Sequence, residues 1–338
     1  MAMYSCIDGV PGDFHLAHLG ERALGGAGLV MAEMTAPCVD GRITHACAGL
    51  WNDDQLGAWK HIVDMVHTQT AACIGIQLGH SGAKGAREIP GQAPETAQRW
   101  PLIAASDLPF DASSDAPRSM TRADMDQLRE QFVAAVLRAD LAGFDALELH
   151  CAHGYLLSGY LSPLTNHRTD EYGGAIDNRL RYPLEVVAAT RAAWPQHKPM
   201  FVRISAHDWA PGGNTDDDAV VIAAAFKQAG VDLIDVSSGQ TTPFARPVYG
   251  RMYQTPFADR IRNEVGIATM AVGNIFHHDH VNSIIAAGRA DLCAIARPHL
   301  ADPHWTLRAA AAQGYSDLRW PQPYERARAQ FESHLRQS

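Results

Sequence analysis

His150 and His153 stand three apart in the stretch His150-Cys151-Ala152-His153-Gly154-Tyr155, at the end of the apolar run Ala146–Cys151. Two imidazoles at that spacing have more than one use. A metal ion would want a third His, Cys or carboxylate at matching spacing, and none stands nearby, so a metal-dependent hydrolase is the weaker use. Two neutral imidazoles can instead donate to one carbonyl oxygen and polarise an enone or thioester. Tyr155 would then give a proton to the carbon beside that carbonyl. The bland alternative leaves both as satisfied histidines at the mouth of the fold.

Arg203 lies inside the run Met200–Ser205. A guanidinium in an apolar strand cannot shed its proton and needs an anionic or strongly accepting partner. That partner is either an internal carboxylate, Glu148 or Asp235, or the electron-rich edge of a flat redox heterocycle such as a flavin. Gln77, near the end of its own run, can donate and accept at the same kind of ring edge, or it is plain strand polarity. Further along, Gly273-Asn274 and Ala296-Arg297 close the last two apolar runs. A glycine, a small residue and a forked donor at those two ends suit a phosphate. Singly they read as a turn glycine and a solvated arginine.

These residues need strands that converge. The apolar runs are Gly28–Met34, Cys73–Gly79, Ala146–Cys151, Met200–Ser205, Leu233–Ser238, Ala268–Gly273 and Leu292–Arg297. Strands apolar nearly throughout belong to parallel sheets covered on both sides. Amphipathic stretches alternate with them, most clearly Thr121–Ala142. There Thr121 caps, Asp124 stands three later, Met125, Leu128, Phe132 and Val136 mark one face, and Gly143 ends it. The alternation predicts an α/β fold, a TIM (β/α)8 barrel, over residues 1–338 as a single domain with a C-terminal tail from about 315 to 338. Seven runs are one short of eight, and Met1–Ser5 reads as the stub of a truncated first strand. A doubly wound open sheet is the alternative, and no dinucleotide fingerprint supports it. Long connections after Gly79, Cys151 and Ser238 put the chemistry at one end of the barrel.

The chain has 338 residues, 46% hydrophobic and 19% charged, with formal charge −9. That balance suits a soluble globular protein and argues against nucleic acid as a partner. No two of the six cysteines form a CxxC, which argues against a zinc knuckle or iron–sulfur cluster. No leader or membrane-length apolar run is present, so the expected compartment is the cytoplasm and no membrane partner is expected.

In order and spacing, the segments MAMYS, GGAGLVMAEMTAP, GRIT, IGIQLGHSGAKG, ELHCAHGYLLSGYLSPLTNHRTDEYGG, VRIS, AVGN and ADLCAIARPHLADP resemble the old yellow enzyme family of FMN-dependent ene-reductases. Within it, DGVPGDFHLAHLG and PVYGRMYQTPFADRIRNE are similar to the reductase half of 2-aminobenzoyl-CoA/salicylyl-CoA monooxygenase/reductases. The resemblance implies FMN contacts from Met34, Gln77, Arg203, Gly273, Asn274, Ala296 and Arg297, with Ala2, Met3 and Tyr4 beside the ring. It implies His150 and His153 as holders of the activating oxygen, with Tyr155, and Tyr4 near it, as catalytic hydroxyls. Ala2 stands where several relatives carry a cysteine. Arg326 matches an arginine that reaches a neighbouring subunit, in a homo-oligomer, or else it is a free surface arginine. NAD(P)H would supply hydride. With no GxGxxG or P-loop encoded, it would enter the same pocket as the small-molecule substrate, an enone or an aryl- or enoyl-CoA thioester. Lys84, Arg87, Arg246 and Arg251 would meet a CoA's phosphates, or are solvated loop charges. A non-catalytic flavin-binding module remains a third reading.

Overall fold

A computed structural model describes residues 1–93 and 98–335 of the chain. Its strands are β1 (Leu29–Thr35), β2 (Cys73–Leu78), the short pair β3 (Ile103–Ala104) and β4 (Arg118–Ser119), β5 (Ala146–Cys151), β6 (Met200–Ser205), β7 (Leu233–Ser237), β8 (Ala268–Val272) and β9 (Leu292–Ala294). Around them lie α1 (Asp13–Leu24), α2 (Asp53–Gln69), α3 (Arg122–Ala142), α4 (Leu156–Leu161), α5 (Ile176–Ala193), α6 (Asp216–Gln228), α7 (Thr255–Val265), α8 (His278–Ala286), α9 (Arg297–Ala301), α10 (Trp305–Ala312) and α11 (Glu325–Leu335).

The seven long strands form one parallel sheet in the order β1-β2-β5-β6-β7-β8-β9. Strand order follows chain order without reversal, which is the barrel arrangement and not the doubly wound one. β1 and β9 are the two edges of the curled sheet. Met1–Ser5 forms no strand, contrary to the stub expected. Tyr4 turns to φ +51°, outside the extended region, and Met3 N–H is drawn to the Glu33 carboxylate at 2.8 Å. The last strand also stops at Ala294 and not at Arg297, because residues 297–301 turn into α9 with Pro298 in its first turn.

Alternation along each strand divides the side chains. Ile74, Ile76, Leu147, Leu149, Val202, Ile204, Ile234 and Val236 face outward and pack with Trp59, Phe132, Val136, Val187 and Phe226 of the helices into one core. Each such burial contributes about 1.5–3 kcal/mol. The helix α3 forms as its sequence predicts: Thr121 accepts from Asp124 N, Asp124 reaches back to Thr121, and Gly143 closes the end at φ +94°. Its Met125, Leu128, Phe132 and Val136 are all buried.

Connections entering the strands are short, between two and six residues from helix to next strand. Several of those leaving the strands are long, although the ones after β8 and β9 are short. Residues 79–121 carry the β3–β4 pair, 152–175 carry α4, and 238–254 form an extended loop. A fourth, 36–52 after β1, joins them and was not foreseen. All four rise from the C-terminal ends of the strands. No helix among the described residues is long and apolar enough to cross a membrane.

Candidate active site

The inward-facing side chains of the strands decide what this end can do. His150 points inward from β5 and is 4% exposed. Its Nδ1 accepts from Ala152 N–H at 3.2 Å, so in the neutral ring Nε2 carries the hydrogen. Burial, with Arg203 and Lys84 nearby, holds its pKa well below the ordinary histidine value, so the ring is neutral. His153 sits just past β5 in the left-handed region at φ +62°. Its backbone N–H donates to Ser205 Oγ at 2.9 Å, and its Nε2 is hydrogen-bonded to Ser237 Oγ at 2.7 Å. Burial and the His150 ring push its pKa well down too.

The two imidazoles stand edge to face, centroids 5.0 Å apart. Nε2 of His150 and Nδ1 of His153 have no protein partner among the hydrogen bonds described. Tyr155 packs its ring on His150 at 4.9 Å. Burial raises the Tyr155 phenol, and it raises that of Tyr4 to about 12, so both keep their protons at neutral pH. Tyr4, Ala2 and Tyr155 pack on a small cluster of Met34, Ile43 and Cys47. Gly154 lets this turn lie against the loop after β7. A Cβ there would stand 3.0 Å from Gln240 O and Thr241, and its φ is +70°. Beyond Tyr155 opens a cavity of about 300 Å³ lined by Ala105, Leu108, Phe110, Leu164, His167 and Phe244 among others.

One strand over, Arg203 Nη1 donates to Asp235 Oδ2 at 2.8 Å. The internal ion pair weighed from the sequence is therefore present, with Asp235. It does not exhaust the guanidinium, since the buried Nε has no partner. Gln77 Nε2 donates to Glu148 Oε1 at 2.5 Å. Burial and the neighbouring Asp235 push the Glu148 carboxyl up to about 8.

At the far side, Gly273 adopts φ +107° and Asn274 φ +53°, with Asn274 Nδ2 donating to Gly250 O at 2.8 Å. The φ of Gly273 is one that favours glycine, and a Cβ there would also displace Gln254 Nε2, 2.4 Å away. Ala296 and Arg297 lie just past the adjacent strand β9, at the start of α9, and both are exposed. The donor set suits FMN: a phosphate at the ends of β8 and β9 beside Arg297, and a polar ring edge at Gln77 and the unpartnered Arg203 Nε.

Sequence reasoning missed several members. Ser205 and Ser237 position His153, and Gln254, which accepts from Ser238 at 2.6 Å, ties the loop to Val272 O. The signal was their i, i+2 spacing from Arg203 and Asp235 on the inward face. Of the loop cations, Lys84 donates to His153 O and Gln240 O, both at 2.9 Å, and Arg87 is paired with Asp111. Burial draws the Lys84 ammonium down to about 8. Two of the four cations expected for CoA phosphates are thus committed to protein contacts. Arg326 is exposed on α11. His150 and His153 belong to neither cluster of potential metal ligands among the described residues, which are Cys38/Asp40/His80 and His277/His278/Asp279.

A family model described as NADH:flavin oxidoreductase / NADH oxidase matches residues 1–314. An NADPH dehydrogenase of Geobacillus thermodenitrificans (strain NG80-2) is 42% identical over 328 residues, 96% of this chain and 92% of the relative. Among solved structures, morphinone reductase in complex with tetrahydroNAD is 26% identical with a TM-score of 0.77, covering 96% of this chain and 87% of the other. A 2-naphthoyl-CoA reductase complexed with 2-naphthoyl-CoA superposes with a TM-score of 0.81 at 23% identity, over 93% of this chain and 50% of the other. The last supports the fold alone.

Proposed function

The chain belongs to the NADH:flavin oxidoreductase / NADH oxidase family and is an FMN-dependent NAD(P)H oxidoreductase, and from that premise we propose that it reduces a carbon–carbon double bond activated by a carbonyl. When bound, FMN supplies the two-electron relay between nicotinamide and substrate. The residues that would hold it are Met34, Gln77 and Arg203 at the ring, with Ala2, Met3 and Tyr4 beside it, and Gly273, Asn274, Ala296 and Arg297 at the phosphate.

The observation that carries the reading is the pair of neutral, adjacent imidazoles whose His150 Nε2 and His153 Nδ1 have no partner among the hydrogen bonds described. Two such donors bind one carbonyl oxygen and stabilise the negative charge that grows on it as the β-carbon is reduced. Each well-placed donor contributes about 3 kcal/mol in a water-poor site. His153 needs its hydrogen on Nδ1 for this, the tautomer that holds when Ser237 Oγ turns its hydrogen to Nε2 at 2.7 Å and not to Gln254 Oε1 at 3.5 Å. Tyr155, protonated and packed on His150, gives its proton to the α-carbon, and Tyr4 lines the same side. The apolar cavity beyond Tyr155 takes the hydrophobic arm of the substrate.

A simple enone fits this site better than a CoA thioester, because Lys84 and Arg87 are already engaged. An aryl-CoA belongs in the substrate panel as the competing case. Arg326, exposed on α11, is the group we assign to contact a second copy of the chain in a homo-oligomer.

Anaerobic mixing of the yellow protein with NADPH or NADH tests the first half-reaction by bleaching. Adding cyclohexenone-type enones or aryl-CoA esters then tests the second by return of colour. A protein that bleaches yet is reoxidised only by oxygen sinks the alkene assignment.

A further inference from the structure

Four inward side chains cross the interior beneath the histidines: Gln77 on β2, Glu148 on β5, Arg203 on β6 and Asp235 on β7. Gln77 uses one oxygen of Glu148, and Arg203 uses one oxygen of Asp235. The other two, Glu148 Oε2 and Asp235 Oδ1, are buried and receive no hydrogen bond from the described residues. The two carboxyl groups lie within hydrogen-bond reach of each other. Glu148 is 1% exposed and Asp235 2% exposed. Two carboxylates so placed would be desolvated, mutually repelling and unable to donate.

A single proton removes all three difficulties. Placed on Glu148 Oε2, it donates to Asp235 Oδ1, while Glu148 Oε1 remains a carbonyl oxygen that accepts from Gln77. Asp235 stays ionised because the Arg203 guanidinium sits directly on it. The chain Gln77 to Glu148 to Asp235, met from the other side by Arg203, then leaves neither carboxyl oxygen unpaired. We propose that Glu148 is a neutral carboxylic acid at neutral pH, donating its proton to Asp235 and thereby leaving the Arg203 cluster with no net charge.

Other groups face this pair. β1 presents Glu33, which is bound by His15 at 3.0 Å and by Met3 N–H. The Met1 amino group, His150, His153 and Lys84 lie toward the mouth, and each is drawn toward its uncharged form by burial. Among the described residues, β8 and β9 present the apolar Ala268, Met270 and Ala294 on this side. None of these supplies the missing donor. The consequence for function rests on the reading that Arg203 faces the cofactor ring. With Glu148 neutral, Nε of Arg203 is a free donor in an uncharged cluster. With Glu148 ionised, the cluster would carry one net negative charge and repel an anionic partner there.

Infrared difference spectra of the purified, FMN-containing protein, wild type minus Glu148→Gln, test this at pH 7. The expected result is a carbonyl-stretching band of a protonated carboxylic acid that the variant lacks. Glutamine keeps both hydrogen bonds, accepting from Gln77 and donating to Asp235. Stability against pH gives a second readout. An acid whose folded pKa is raised stabilises the fold fully below its unfolded value, and that stabilisation is lost as pH rises through the folded value. Between pH about 4.5 and about 8 the wild-type thermal midpoint should therefore fall relative to Glu148→Gln. If that variant does not fold, Asp235→Asn in the same spectrum should shift the band by changing its acceptor. Absence of any acid band at pH 7, or parallel midpoint curves for the two proteins, overturns the proposal. No nicotinamide or alkene enters these measurements, so their failure is separate from failure of the ene-reductase reading.

Discussion

The interior of this barrel has two regions built on the same strands two residues apart. At the floor, Ala146, Phe201, Leu233 and Met270 pack with Leu29, Ala268 and Ala294 into an apolar plug. One step further along β5, β6 and β7 the inward positions are Glu148, Arg203 and Asp235, and then His150, Ser205 and Ser237. A rise of about 3.3 Å per residue puts these sets about 7 Å apart. The difference teaches where stability and chemistry are kept. The floor closes the barrel with contacts that need no partner. The upper layers carry polar atoms that the protein leaves open, namely the buried Arg203 Nε and, among the hydrogen bonds described, His150 Nε2 and His153 Nδ1. Those are the atoms left for a ligand.

Substitutions in each region should separate the two properties. The largest effect is expected for His150→Ala combined with His153→Ala. Alkene reduction should fall by about 10⁴-fold, from about 10²-fold per donor lost. FMN absorbance and thermal midpoint should stay near wild type, and full turnover in the double variant would break the contrast. Next is Phe201→Ala at the floor, 5% exposed, which should cost about 3–5 kcal/mol of stability in denaturant titration. Its kcat measured well below the new midpoint should change little, and a specific loss of turnover would show that the floor also shapes the site. Ser237→Ala should lower kcat for the alkene about five- to tenfold, the weight of about 1 kcal/mol for one hydrogen bond, with nicotinamide binding and stability nearly unmoved. An effect on KM alone would show that Ser237 does not set the His153 tautomer. Smallest, Thr121→Ala removes the α3 cap, far from both regions, and should cost about 1 kcal/mol of stability with unchanged kinetics.

Legibility in the sequence followed how local each cause was. The α3 boundaries were readable because Thr121, Asp124 and Gly143 act on their own backbone. Five of the seven runs were misjudged at an end, since a strand stops where its partner does, and partners are distant in sequence. Of the site, His150, His153 and Tyr155 were found from a contiguous motif. Ser237 was not, because its contact with His153 spans 84 positions. Arg203 was recognised as needing an anion, yet the choice of Asp235 over Glu148 came only from strand register.

By itself, the order of residues determined the alternation of strands and helices, the one-sided placement of long loops, and the candidacy of His150, His153 and Arg203 as polar groups at the strand ends. These follow from period, capping and turn chemistry, each set within a few positions. Only the folded chain decided how those inward groups share protons and hydrogen bonds. Glu148, Asp235 and Arg203 come from three strands, and their charges depend on desolvation and on which atoms meet across the barrel. Desolvation and register are properties of the assembled sheet, and no window of sequence contains them.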